Sequence, residues 1–439
     1  MDDEAREIRH GALFIREGVL EFVGATAELD QTLIQQADET LSMPNHIILP
    51  GLINTHHHMY QSLTRVVAQQ NELFDWLVTL YPIWTNLTGE MIYTSAKLAM
   101  AELILSGCTS SSDHLYIYPN DVKLEDTIRA AQEIGMRFHP TRGSMSVGES
   151  KGGLPPDRVV EDEDNILRIT QDLIENHHNP DRYSMLRIGV APCSPFSVSQ
   201  DLMRESAALA RSYHVRLHTH LAENINDIDY SNEVFGMRPG DYAEDVGWIG
   251  DDVWHAHCVQ LNDDEISLFG RTGTGVCHCP GSNMRLASGI APIRKMLDHK
   301  VRVGLGVDGS ASNDGAHLLN EARMAMLLQR VSGDPSALSA REALSIATRG
   351  GAAVLGRDDI GGLAIDTAAD FIGFRVDNPA FAGAQQDLAA ALVFCQSLHV
   401  DLSVINGQFV VKDGNLLTVD LPMLVETHNQ FSHQLINSV

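Results

Sequence analysis

The chain reads as an α/β protein: a (β/α)8 TIM barrel with a small β-sandwich domain formed from both chain ends. Three observations predict it. A length of 439 residues exceeds one ordinary hydrophobic core and suits a large barrel with a smaller companion. Through the middle of the chain, eight short β-rich runs alternate with longer helical patterns, the signature of βα units around a parallel sheet. The flanks instead carry short strands around glycine turns, as in 11–24 and 405–417.

The expected barrel strands are 46–58, 109–118, 136–142, 186–192, 215–221, 253–259, 275–279 and 301–307. Helical stretches between them, at 90–105, 124–134, 163–175, 200–213, 263–270 and 318–329, repeat apolar residues at three- and four-residue spacing, which gives each an apolar face. Eight strands with crossover helices close most naturally into a barrel. Residues 50–357 are therefore assigned to the barrel, and 1–49 with 358–439 to the β-sandwich-like domain. Segment 147–157, with Gly152-Gly153 and Pro155-Pro156, is expected to be a loop over the barrel mouth.

Composition narrows the function. Apolar residues make up 44% and charged residues 20%, an ordinary globular balance. A formal charge of −27 argues against nucleic acid and anionic lipid, because a polyanion binder needs clustered Lys and Arg to displace counterions. Small, neutral or weakly charged molecules are the expected partners, with self-association into a homo-oligomer. The acidic start, residues 1–10, lacks the charged-then-apolar layout of a signal peptide. No apolar run approaches the ~20 residues of a membrane helix. A cytoplasmic location follows as an expectation. Six scattered cysteines suit reduced thiols better than a disulfide framework.

The chemistry is suggested by where the histidines fall. Residues two apart on a strand share a face, so His56 and His58 of Asn54-Thr55-His56-His57-His58 can both point into the barrel. A lone His-x-His is weak evidence, but His218-Thr219-His220-Leu221-Ala222-Glu223, His255-Ala256-His257 and Val307-Asp308-Gly309 end later strands. Barrels of this type build their sites at the C-terminal ends of the strands. By that rule His220 and His257 belong to the site, and His218 and His255 to a deeper, hydrogen-bonded layer. Asp308 ends an apolar run, where an acid is costly without a partner such as a metal. Each residue alone could be structural; together at the ends of strands one, five, six and eight they are poorly explained that way.

The same residues carry a family resemblance. Pro50-Gly51-Leu52-Ile53-Asn54-Thr55-His56-His57-His58, His220-Leu221-Ala222-Glu223, Ala256-His257-Cys258-Val259 and Val307-Asp308-Gly309 resemble, in order, the signatures of the amidohydrolase superfamily in its aminoheterocycle deaminase branch. The resemblance implies His56, His58, His220 and Asp308 as metal ligands, His257 beside the water the metal activates, and Glu223 as proton shuttle. Three neutral imidazoles and a carboxylate suit one zinc ion per chain, with Fe2+ or Mn2+ able to take such a site. Glu223 can accept the water proton and return it to the ring nitrogen and the departing amine. His257 can stabilise the developing oxyanion, and Asp308 can both ligate the ion and orient the water. Binuclear relatives hold a second metal through a lysine on the fourth strand. The run 186–192 contains no lysine, which favours a single ion. A catalytically inactive barrel scaffold would have no reason to retain the full set.

Substrate contacts are read partly from resemblance. Gln61 resembles the family glutamine that pairs with a heterocycle amide, its alternative being a helix-start cap. Arg142 could meet a carbonyl oxygen or enolate, or simply form a salt bridge. Trp76 could stack on a flat ring or belong to the core. Where nucleoside-type relatives carry Pro-His-Ser-Pro, this chain has Pro192-Cys193-Ser194-Pro195, which argues against a nucleoside. Within the branch, the segments around Arg142, Cys193 and Asn283 look most like the 8-oxoguanine deaminases, which form urate and ammonia. Isoxanthopterin, guanine and hydroxytriazine aminohydrolases come next. Two departures from the family pattern, at Met1-Asp2-Asp3 and in 362–370, fall outside the expected site.

Overall fold

The computed structural model describes residues 6–395 and 398–438; the first five residues of the acidic start lie outside them. In chain order the strands are β1 (Gly11–Arg16), β2 (Val19–Ala25), β3 (His46–Pro50), β4 (Leu52–Asn54), β5 (Cys108–Leu115), β6 (Arg137–Ser144), β7 (Gly189–Pro192) and β8 (Arg216–Leu221). Then follow β9 (Val253–His257), β10 (Gly275–His278), β11 (Arg302–Leu305), β12 (Phe371–Arg375), β13 (Leu402–Ile405), β14 (Gln408–Lys412) and β15 (Asn415–Leu416). Strands β4 to β11 form a closed barrel, each parallel to its neighbours, with β11 closing onto β4. All six expected helical stretches are helices. The capping chemistry is visible at their ends: Thr88, Asp162, Ser199 and Asn262 each accept a hydrogen bond from the first turn, satisfying donors that have no partner within the helix.

The expected first strand, 46–58, is two strands. β3 pairs antiparallel with β12, outside the barrel, and β4 pairs parallel with β5 inside it. The break falls at Pro50-Gly51, where proline has no N–H to extend a ladder. A Cβ on Gly51 would sit 1.9 Å from Thr109 Oγ1, so only glycine lets the chain pass this close to β5 as it changes sheets. The β3 side belongs to a five-stranded sheet ordered β15-β14-β13-β12-β3, built from both ends of the chain. The β1–β2 hairpin lies against it, and they share an apolar core of Leu20, Phe371, Leu402 and Val404, with Leu13 and Ile48 packed alongside.

Among the helices not anticipated, the two longest bear on the site and its surroundings. Leu73–Trp84 forms in the loop after β4, capped by Glu72 accepting from Asp75 N at 3.1 Å; its buried Leu73, Trp76, Leu77, Leu80, Tyr81 and Trp84 recur with the three- and four-residue spacing of one face. Leu421–Ile436 buries Leu424, His428 and Leu435, and its Ser432 hydroxyl donates to Leu63 O at 2.7 Å while His428 Nε2 meets Ser62 Oγ at 3.0 Å. This helix therefore rests on the barrel, so the stretch 358–439 does not stay with the small sheet to its end. No helix among the described residues is long and apolar enough to cross a membrane.

A buried ion pair ties the two sheets together where the barrel strands begin. Arg137, opening β6, holds Asp370, just before β12, through Nε–Oδ2 at 2.7 Å and Nη2–Oδ1 at 3.0 Å. Asp370 Oδ1 also accepts from Asn406 N at 2.7 Å. Removing one member of such a pair leaves an uncompensated charge in a dry place. Asp370→Ala is expected to lower unfolding free energy by about 3–5 kcal/mol in urea titration; a loss under about 1 kcal/mol would mean that the pair is not what joins the sheets.

Candidate metal centre and pocket

The site residues arrive from four strand ends. His56 and His58 follow β4, with His58 starting the short turn Met59–Thr64. His220 lies in β8, Glu223 in the turn after it, His257 at the end of β9, and Asp308 three residues past β11. Ala222, His257, Cys258 and Asp308 have φ of 51, 71, 52 and 61°, a left-handed conformation that non-glycine residues rarely adopt and that concentrates at functional sites. The turn at His257 also breaks strand alternation. His255 faces the outer layer, its ring 5.3 Å from Phe269 and its Nε2 2.9 Å from Trp248 O, whereas His257 faces the site.

His56 Nε2 and His58 Nε2 lie 3.3 and 3.5 Å from Asp308 Oδ1, and His58 Nε2 lies 3.0 Å from His220 Nε2. His257 Nε2 is 3.4 Å from Glu223 Oε2 and 3.9 Å from Asp308 Oδ2. The other ring nitrogens determine what these contacts are. His58 Nδ1 donates to His114 O at 2.7 Å and His220 Nδ1 to Cys193 O at 2.5 Å, since carbonyls can only accept. His218 Nδ1 donates to Trp254 O at 3.0 Å, which leaves its Nε2 to accept from His56 Nδ1 at 2.8 Å. All three protons are thus committed outward, and three Nε2 lone pairs and a carboxylate converge on one point. His56 Nε2 is buried with no hydrogen-bond partner. Such a donor set fits a zinc-class cation.

Burial keeps the imidazoles neutral: it holds His56 well below the usual histidine range, lowers His58, and brings His220 to about 3. The two carboxyls part company. For Asp308, burial is outweighed by the close imidazoles of His56, His257 and His58, so it stays well below the ordinary range. Burial, reinforced by Asp308, Asp227 and Glu72, pushes Glu223 well above it. Asp308 is further fixed by Gly309 N at 2.7 Å and Ser312 Oγ at 3.2 Å.

A pocket opens over this centre, bordered by His58, His220, Glu223, His257 and Asp308 on its metal side. Gln61, Trp76 and Cys193, singled out from sequence, all line it. Gln61 is not a helix cap: its Oε1 is buried and unpartnered, and Gly309 must be glycine because a Cβ there would fall 1.8 Å from that oxygen. Trp76 is anchored by Nε1–H donating to Ala311 O at 3.0 Å. Burial pushes the Cys193 thiol up to about 12, so it is a neutral weak donor.

Arg142 is a correction. Its guanidinium binds Glu161 at 2.6 Å and lies 4.3 Å from the Tyr118 ring, and it does not line the cavity. Strand alternation explains this, for His139 on β6 reaches Trp254 inside the barrel at 5.8 Å and Arg142, three residues on, takes the opposite face. The loop 147–157 likewise supplies no lining side chain. Sequence reasoning missed His114, which groups with His56, His58 and His220. Its Nε2 donates to Ala191 O at 2.8 Å and its Nδ1 is unpartnered. It also missed Asn283, whose Oδ1 accepts from His257 Nδ1 at 2.9 Å, and the lining residues Tyr81, Tyr116, Ser194, Phe196 and Leu286. His114 sits on an expected strand and alternation could have flagged it; Asn283 becomes visible only through a contact between separate strand-end loops.

Comparison with known proteins agrees with this geometry. Residues 47–414 match the Amidohydrolase family. The chain is 43% identical over 431 residues, 97% of its own length and 95% of the relative's, to an 8-oxoguanine deaminase of Pseudomonas aeruginosa. It is 35% identical to a hydroxydechloroatrazine ethylaminohydrolase of Pseudomonas sp. (strain ADP), over 95% of this chain and 90% of that one. A crystal structure of atrazine chlorohydrolase from Arthrobacter aurescens TC1 complexed with zinc superposes with a TM-score of 0.93 at 34% identity, covering 98% of this chain and 97% of that one. On the match across most of its length and on these identities, the chain belongs to the amidohydrolase family.

Proposed function

We propose that this chain is a zinc-dependent deaminase that hydrolyses 8-oxoguanine to urate and ammonia. The observation that carries the chemistry is the 3.0 Å approach of His58 Nε2 to His220 Nε2 with both Nδ1 protons committed to carbonyls. Two facing lone pairs have no hydrogen bond to make and are held together favourably only by a cation. His56, His58, His220 and Asp308 would hold it. A zinc ion there supplies Lewis acidity and brings water deprotonation to about pH 7.

The chain's own groups do the rest. Glu223 Oε takes the first proton of the attacking water and hands it to the ring nitrogen beside C2, then takes the second from the new C2 hydroxyl and hands it to the leaving amine, which departs as ammonia; its raised affinity for a proton suits it to hold one between steps. His257 Nδ1–H is committed to Asn283. Its Nε2 therefore donates to the developing oxygen only as imidazolium, whose charge Glu223 and Asp308 balance at 3.4 and 3.9 Å. Water adds at C2 and the C2–NH2 bond breaks, leaving urate. Gln61 Oε1 is free to accept the lactam N–H, and Trp76 with Leu77 and Phe196 gives the flat ring apolar walls. Burial pushes the Tyr81 and Tyr116 phenols well above their usual range; the Tyr81 hydroxyl donates to Met145 Sδ at 3.6 Å, which leaves Tyr116 and Cys193 as the neutral donors for the oxygens that distinguish an oxidised purine.

A second reading, isoxanthopterin, rests on a deaminase for that compound from an unknown prokaryotic organism, 32% identical over 96% of this chain. The mechanism would be the same.

Glu223→Gln is expected to keep about one metal ion per chain by elemental analysis while kcat falls by about 10²–10⁴-fold; near-full turnover would mean that another group carries the protons. His218→Ala removes the acceptor that orients His56, and chelator competition is expected to show metal affinity about 10–100-fold weaker with unchanged circular dichroism. Unchanged affinity would reduce His218 to packing. For the substrate, kcat/KM is expected to be far higher for 8-oxoguanine than for guanine, by up to about 10⁴-fold, because guanine leaves the buried donors unpaired. A clear preference for isoxanthopterin in the same assay would move the chain to the second reading.

A further inference from the structure

The opposite end of the barrel, where the strands begin, holds a group of cations that the mechanism does not use. Arg187 precedes β7, Arg216 opens β8 and Arg302 opens β11. The first two stand beside His139 of β6. Phe138 bridges to Leu186, Arg187 N donates to Phe138 O at 3.1 Å, and Gly189 pairs with Arg216. A Cβ on Gly189 would lie 2.9 Å from Thr141 Cγ2, 3.3 Å from Arg216 O and 3.7 Å from His139 Nε2, which places Arg216 and His139 on either side of this glycine.

Among the described residues, no carboxylate comes within 4 Å of any of the three guanidiniums. Arg187 reaches only Ser184 Oγ at 3.3 Å and the carbonyls of Pro180 and Asp181 at 3.1 and 3.2 Å. Arg216 and Arg302 share one carbonyl, Asp251 O, at 2.6 and 3.2 Å, and Arg216 Nε has no partner. His139 is 6% exposed, and neither of its ring nitrogens has a partner.

Such a group is out of place in a chain with 58 acidic and 31 basic residues. Of the acids nearby, Asp251 has an exposed side chain and meets Arg216 and Arg302 through its carbonyl, and others are engaged elsewhere. Asp252 binds Arg211 at 2.8 Å, and Asp359 binds Arg357 at 2.7 Å. The neighbouring Arg137 and Arg357 each have a bidentate carboxylate; Arg187, Arg216 and Arg302 have none. Crowding is felt in their acidity too: burial, with the other guanidiniums, pushes Arg187 and Arg216 down to about 10, and burial with Arg187, Arg216 and Arg357 holds His139 well below the histidine range.

We propose that the barrel floor is a binding site for a small oxyanion of the phosphate class, taken between Arg187 and Arg216 beside His139, with Arg302 closing it from the solvent side. A planar guanidinium fork matches the oxygens of a tetrahedral oxyanion, the unpartnered His139 can donate one N–H to it, and the anion supplies the charge that the fold withholds. The site is separate from the metal centre, which lies at the other end of the same strands.

Calorimetric titration of the metal-loaded, full-length protein with inorganic phosphate, at fixed ionic strength in chloride, reads it directly. Saturable binding of one phosphate per chain is expected, weakened at least tenfold in Arg187→Gln/Arg216→Gln. Thermal unfolding adds a readout that a merely structural role would not give. Without phosphate the double variant should melt no lower than the parent, because repulsion is relieved, while only the parent should gain stability from phosphate. Arg302→Gln, at the edge, is measured alongside and should weaken phosphate binding even if the double variant does not fold. Absence of saturable binding, binding that persists in the folded variants, or an equal loss of melting temperature with and without phosphate overturns the proposal.

Discussion

Everything at the mouth of this barrel depends on three imidazole protons pointing away from one another. His58 and His220 give theirs to the carbonyls of His114 and Cys193, and His56 gives its proton to His218. The first two acceptors lie on or just beyond the neighbouring strands β5 and β7, and His218 reaches His56 across the barrel from β8, so the ring closure that makes the barrel also sets the tautomers. A set of facing lone pairs is unfavourable by itself, and it persists because the strands beneath are buried and fully paired. The fold orients the imidazoles in the form a cation needs, which is preorganisation by the groups that take their outward protons.

The strand-end turns extend that dependence. Cys258 N donates to Leu221 O and Gln260 N to Ala222 O, at 3.1 and 2.9 Å, while Asp308 N donates to His56 O at 3.1 Å. Ala222, Cys258 and Asp308 are thus each tied to the turn of another strand. Strain of this kind survives only where surrounding structure over-determines it, and here the turns over-determine each other.

How much could be read from sequence follows from which signals are local. All eight barrel strands and six helices were legible because period-two and helical patterns are properties of short segments. His56, His58, His220, Glu223, His257 and Asp308 were legible because all sit at strand ends in recognisable signatures. The split at Gly51 was not, since 46–58 is one apolar run and only the approach to Thr109 shows where it changes sheets. The Leu73–Trp84 helix was hidden by length expectations for a loop, although its spacing was present. Arg142 misled because counting from a strand end fixes proximity to the mouth but not the face. His218 was legible as part of a deeper, hydrogen-bonded layer, but its partner His56, like the partner His257 of Asn283, lies on a distant segment that no single stretch of sequence contains.

The division of labour between the two carboxyls follows from what surrounds each. Asp308 receives Gly309 N–H and the Ser312 hydroxyl and lies among imidazoles, all of which favour the anion. Glu223 has a backbone N–H spent on Asp227 at 2.7 Å, and its carboxyl faces Asp308 and the apolar cavity wall, where an anion is disfavoured. A site whose two carboxyls are pushed in opposite directions has separated a permanent charge from a proton carrier. Asp308 can therefore stay charged beside a cation throughout a reaction. Glu223, three strand ends away in the chain yet in the same cavity, is left free to bind and release protons, and the turn at Ala222 is what aims it there.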